Sequence, residues 1–144
     1  MPVITCMLVI FAASTDMMSA EHTSRFIGPF LRWLTPDVSP ATIAAVQLVA
    51  RKAAHITEYA ILGALLLRAF SRGAESHAWR YALTAWCAAV ACAGLDEFHQ
   101  SFVASRTGSP IDVLIDASGA FFGLIIYWML SRKGTPAAPQ TAAA

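Results

Sequence analysis

Residues 111–130, IDVLIDASGAFFGLIIYWML, form a run of twenty whose only charges are Asp112 and Asp116 near its start. A helix rises about 1.5 Å per residue, so such a run covers the roughly 30 Å hydrocarbon core of a bilayer. The composition agrees with a lipid solvent. Hydrophobic residues make up 57% of the chain and charged residues 13%, where a soluble domain carries roughly 25% charged residues. The mean hydropathy is +0.57. The expected fold is all-α: an integral membrane bundle of about four transmembrane helices, in one domain.

The other expected spans are 2–13, about 55–70 and 78–95. The segment 55–70 extends backwards, because Ser39-Pro40 reads as an N-cap followed by proline at the first helical position. One helix then runs from Pro40 to Phe70, its first part outside the lipid core. The segment 78–95 is slightly short and borrows from its ends. Residues 2–13 reach only about 18 Å. Three readings compete there: a signal-peptide h-region cleaved near Ala20, a short or tilted span extended through Ala12-Ala13-Ser14-Thr15, or a first helix truncated at its start. The basic n-region of a signal peptide is missing, which favours a true first helix, either short or truncated, over a signal peptide.

Between the first two spans lies SRFIGPFLRWLTPD. Phe26, Ile27, Phe30, Leu31 and Leu34 recur at helical spacing, Arg25 and Arg32 share the opposite face, and Trp33 is a typical interface residue. This reads as a short interfacial amphipathic segment, with Pro29 as an expected break. Residues 132–144 read as a disordered, Pro/Ala-rich tail. Cys6, Cys87 and Cys92 all lie in apolar runs; an odd count with no CxxC argues against a disulfide framework or a zinc knuckle. A net charge of +1 gives no reason to expect a nucleic-acid partner.

With four spans the loops fall on two sides. Arg68, Arg72, Arg80, Arg132 and Lys133 lie on one, Arg25, Arg32, Arg51, Lys52 and Arg106 on the other, a tie under the positive-inside rule. The short 71–77 loop and the tail are almost purely basic. That favours a cytoplasmic C-terminus and an outward-facing acidic cluster.

The cluster centres on 96–116, DEFHQSFVASRTGSPIDVLID. Ionisable groups in or beside spanning helices are costly and call for a functional hypothesis. Lys52, His55, Tyr59 and Gly63 form one helical stripe, with Glu58 at its margin. Asp96, His99 and Gln100 form a second, while Glu97 points elsewhere. Asp112, Asp116, Gly119 and Gly123 form a third, whose GxxxG lets helix backbones approach closely. Three helices thus aim Lys52, His55, Glu58, Asp96, His99, Asp112 and Asp116 at one pocket. ASRTGSP caps it, with Gly108 and Pro110 shaping a turn and Arg106 reaching over an anionic group. The plainer readings are helix packing for GxxxG, a register-fixing ion pair for Lys52 or Arg106 with an aspartate, and hydrogen-bonded interface histidines. Convergence on one face is what speaks for a site.

RKAAHITEYAILGALLL (51–67) and DEFHQSFVASRTGSPIDVLIDASGAFFG (96–123) resemble the VanZ-like family of small multi-pass membrane proteins. The matching positions are Lys52, His55, Glu58, Tyr59, Leu62 and Gly63, then Asp96, Glu97, Gln100, Arg106, Ser109, Asp112, Asp116, Gly119 and Gly123. The resemblance covers roughly 1–131, taken as one transmembrane domain. FAAST near the start resembles the end of the family's first helix, and Ser105 departs from the usual Gly or Pro before the arginine. The resemblance implies a multi-pass cell-membrane protein of the envelope. The family takes its name from a member linked to teicoplanin resistance, and most members have no assigned activity.

Several functions follow as expectations. The first is a non-enzymatic envelope protein whose outer pocket binds a lipid head group, a cell-wall precursor or a teicoplanin-type lipoglycopeptide, with Lys52 and Arg106 on an anionic group. The alternative is a metal-dependent enzyme acting on an envelope-lipid phosphate or acyl group. There His55-x-x-Glu58 and Asp96-x-x-His99 supply ligand pairs one turn apart to a divalent metal that activates water. A proton-coupled transporter would require an oligomer, and a structural subunit of a larger complex is the remaining reading. The sequence establishes no cofactor.

Overall fold

A computed structural model of the chain describes residues 1–15, 20–72, 78–103 and 108–132. Five helices are present among them: α1 (Pro2–Ala13), α2 (Ala20–Leu34), α3 (Pro40–Phe70), α4 (Ala78–Gln100) and α5 (Pro110–Arg132). The tail beyond Arg132 lies outside the described residues.

Local chemistry sets the helix starts. The Ser39 hydroxyl accepts the Thr42 N–H at 3.1 Å, and Pro40 opens α3 where a missing N–H costs nothing. Ser109 and Pro110 do the same for α5: the Ser109 hydroxyl accepts from Ile111 N–H at 3.2 Å and its carbonyl from Asp112 N–H at 2.9 Å. α4 continues beyond the apolar run ending at Leu95, through Asp96, Glu97 and Gln100. The expected break at Pro29 is absent, since α2 runs through it. Gly28 precedes this proline and has no Cβ to clash with its ring, and Pro29 itself is exposed.

α5 packs most closely on α3, α4 lies against both, and α1 and α2 rest on α3. The α3–α5 contact is nearly backbone to backbone. A Cβ placed on Gly119 would stand 2.6 Å from the Ile56 carbonyl oxygen, and one on Gly123 would overlap the Ala60 carbonyl. Lys52 faces Asp112 and Ile56 faces Gly119, so α3 and α5 run parallel, both starting from the charged end. α4 presents Ala85, Ala89 and Ala93, all fully buried. Leu62, Leu66, Leu67 and Leu124 are buried with them, while many other large apolar side chains point outward, among them Ile61, Phe121, Phe122, Ile126 and Met129, each at least half exposed. So many bulky apolar residues on the outside, with alanines and glycines where helices touch, is an arrangement that lipid stabilises better than water.

By length and composition α3 and α5 can cross a membrane. The expectation of four spans goes further than this. α1 has twelve residues, and in α4 Arg80 and Tyr81 at one end and Asp96 and Glu97 at the other shorten the apolar stretch. At 31 residues, α3 is about 46 Å long. Because Lys52 meets Asp112 near the start of α5, residues 40–51 project beyond the α3–α5 contact.

Candidate functional site

The polar residues of α3, α4 and α5 gather at one end of the bundle, where the stripes expected from the sequence converge. At the mouth, Lys52 pairs with Asp112, both side chains partly exposed. One turn deeper, Asp116 is fully buried, and its Oδ1 lies 3.4 Å from His55 Nδ1. Tyr59 lies one turn further along α3 and is also fully buried. This end therefore grades from a wet ion pair to a dry carboxylate within two helical turns.

α4 supplies the opposite wall. Asp96 Oδ2 accepts from the Ser14 hydroxyl at 2.7 Å and from Gln100 Nε2 at 2.9 Å, all three buried. Gln100 also reaches Ser14 Oγ at 3.5 Å. Glu97 does not point elsewhere: it is buried, and its Oε2 accepts the Ser109 backbone N–H at 2.7 Å. A carboxylate at the N-terminus of α5 also meets the positive end of that helix. A Cβ on Gly108 would lie 2.6 Å from the Glu97 carbonyl oxygen, so only glycine lets the turn close against the end of α4. Trp86 Nε1 donates to the Ala117 carbonyl at 3.0 Å and ties the walls together lower down.

Asp96 and Asp112 lie close enough to Asp116 to act on it electrostatically, as do Asp112 and Asp116 on Glu97 and Glu58 on His55 and Tyr59. Lys52 is committed to Asp112 rather than held ready for an anion. Arg106 lies outside the described residues. What the stripe residues offer a ligand is carboxylate oxygen. Asp116 Oδ1 and Oδ2, Glu97 Oε1, Tyr59 OH and His55 Nδ1 are buried without a hydrogen-bond partner among the described residues. Leaving a buried polar group unpaired costs on the order of 1–3 kcal/mol, and more for a charge. Such groups are paired in nearly all folded proteins, by water, ion or ligand if not by the chain.

The four ligands considered for a metal meet different neighbours. His99 stacks against Phe11, ring centroids 4.6 Å apart, while His55 faces Asp116 and Asp96 faces Ser14 and Gln100. Among the described residues, no three of His, Cys, Asp and Glu group closely enough to hold a metal ion. Glu58 is half-buried. Gly63, Gly119 and Gly123 lie in the α3–α5 contact beneath the cluster.

One member of the cluster escaped the sequence. Ser14 is almost completely buried and joins the end of α1 to Asp96. The only local signal is a hydroxyl residue closing an apolar run.

A family model described as VanZ/LLP1 matches residues 2–131. No curated protein and no solved structure matches the chain.

Proposed function

The chain belongs to the VanZ/LLP1 family, and from that premise we propose that it is an envelope membrane protein whose polar cluster binds a donor-bearing group presented at the membrane surface. Candidate ligands are a lipid head group carrying an amine, a cell-wall precursor and a teicoplanin-type lipoglycopeptide. The observation that carries this reading is Asp116: fully buried, its Oδ1 3.4 Å from His55 Nδ1, and with neither carboxylate oxygen taking a hydrogen bond among the described residues. A ligand N–H or O–H entering past Lys52 and Asp112 would satisfy it. The excess of carboxylates around it favours a cationic or neutral donor over an anion. Glycopeptide resistance is the phenotype that such binding would influence.

The cluster faces outward in this reading and the C-terminus is cytoplasmic. The support is Arg68, Arg72, Arg80 and Arg132 at the opposite end of the bundle. α2 lies on the outer surface of the membrane, where exposed Phe26, Phe30, Trp33 and Leu34 enter the interface.

The test is thermal unfolding of the detergent-purified chain with a short-chain phosphatidylethanolamine, a soluble wall-precursor peptide and a lipoglycopeptide, each with and without a chelator. Binding to the folded state at about a hundred times Kd raises stability by about 2.7 kcal/mol. The expected result is a rise with at least one ligand that survives chelation and is lost in Asp116→Asn. A rise that disappears with the chelator would favour the metal-dependent alternative. No rise with any of the three, the variant being folded, contradicts the binding reading.

A further inference from the structure

At the end of the bundle away from the polar cluster, an open groove of about 940 Å³ runs between α3, α4 and α5. Ligand cavities span roughly 300–1,000 Å³, so this one is large. Its walls are apolar and aromatic, with Leu67 from α3, Trp79, Ala82 and Trp86 from α4, and Leu124 and Trp128 from α5. The indole of Trp86 is held by its bond to the Ala117 carbonyl. The groove thus has a fixed wall formed by a side chain whose one donor is already satisfied.

The rim is basic. The Arg132 guanidinium, part of the lining, stands 3.8 Å from the Trp128 ring centroid, and that of Arg80 stands 5.5 Å from the Trp79 ring centroid. Arg68 and Arg72 are exposed at the same end. No acidic residue is described there; Glu75 lies outside the described residues. α3 and α5 are the helices able to cross a membrane, so their C-terminal ends, aromatic and then basic, stand at the level of lipid phosphates. An apolar slot below a cationic, indole-lined rim is complementary to an anion that carries a hydrocarbon chain.

We propose that this groove is a binding site for an anionic phospholipid of the surrounding bilayer, one acyl chain lying between α4 and α5 against Trp79, Trp86 and Trp128 and the phosphate held by Arg80 and Arg132. The site is separate from the polar cluster and does not depend on the function assigned to it.

The chain contains four tryptophans, Trp33, Trp79, Trp86 and Trp128, so Trp33→Phe leaves only the three that line the groove. This variant would be reconstituted in phosphatidylcholine vesicles containing a small fraction of either phosphatidylglycerol or phosphatidylcholine with brominated chains, and tryptophan quenching measured. A basic side chain near the surface favours an anionic lipid by about fivefold. The expected result is quenching several-fold stronger with brominated phosphatidylglycerol at equal fraction. Arg80→Gln with Arg132→Gln, both at exposed positions, should remove the preference. Ala82→Phe, which fills the groove, should reduce quenching by phosphatidylglycerol while leaving the arginines in place. Equal quenching by the two lipids overturns the proposal, including the case in which a second copy of the chain covers the groove. So does a preference that persists in the arginine pair variant, or phosphatidylglycerol quenching that is undiminished in Ala82→Phe.

Discussion

Asp96 shows how one side chain can join distant parts of this chain. Its Oδ2 accepts from Ser14, 82 positions away, and from Gln100, one turn on. Asp96→Ala would leave two buried donors without their partner, at a cost of about 1–3 kcal/mol for such a loss. The expected outcome is a lower melting temperature in detergent. Ser14→Ala should add little to it, because the two residues share one interaction. Additive losses would mean that the pair does not act as a unit. The stripes Lys52–His55–Tyr59 and Asp112–Asp116 were legible in sequence because helical periodicity alone assigns them to a face. The partners of Asp96 and Glu97 were not. Ser14 reaches Asp96 only through the packing of α1, and Glu97 finds Ser109 N–H only where the start of α5 meets the end of α4.

Glycines decide the geometry at the scale of the helices. Gly119 and Gly123 allow the α3 and α5 backbones to touch, and Lys52–Asp112 and His55–Asp116 face each other because of that approach. Gly123→Ala would drive a methyl group into the Ala60 carbonyl, and overpacking of this kind typically costs 1–3 kcal/mol. Gly94 on α4 has open space at the same point. Gly94→Ala should be neutral or stabilising by up to about 1 kcal/mol through helix propensity. Thermal unfolding of the two variants side by side checks the contrast; equal destabilisation would contradict the close α3–α5 contact. The start of α3 was legible because Ser39-Pro40 is a local signal. The length of α4 was not, since its helix outlasts its apolarity by five residues, to Gln100. Pro29 misled because proline propensity was weighed without Gly28 before it.

The whole molecule is a bundle with a polar interior at one end and an apolar exterior, as expected of a VanZ/LLP1 family member in lipid. Composition made the solvent legible. The number of crossings was less so, because α1 and α4 carry too little continuous apolar length for hydropathy to decide. The proposed orientation has a direct check in single cysteines placed at Asp37 and at Arg72 in a chain whose three native cysteines are replaced. An impermeant thiol reagent applied to intact cells should label position 37 and spare position 72. The reverse pattern would invert the topology and put the polar cluster inside. The most direct test of the binding claim compares two ligands that differ only in their donors. Kd would be measured for short-chain phosphatidylethanolamine and its N-trimethylated counterpart, phosphatidylcholine, on the unsubstituted chain and on Asp116→Asn. A buried acceptor predicts tighter binding of the amine, by about ten- to a hundredfold for a charge-assisted hydrogen bond of about 1.5–3 kcal/mol, and loss of that difference in Asp116→Asn. Equal affinities on the unsubstituted chain, or a preference that survives in Asp116→Asn, would contradict binding of an amine-bearing head group at Asp116.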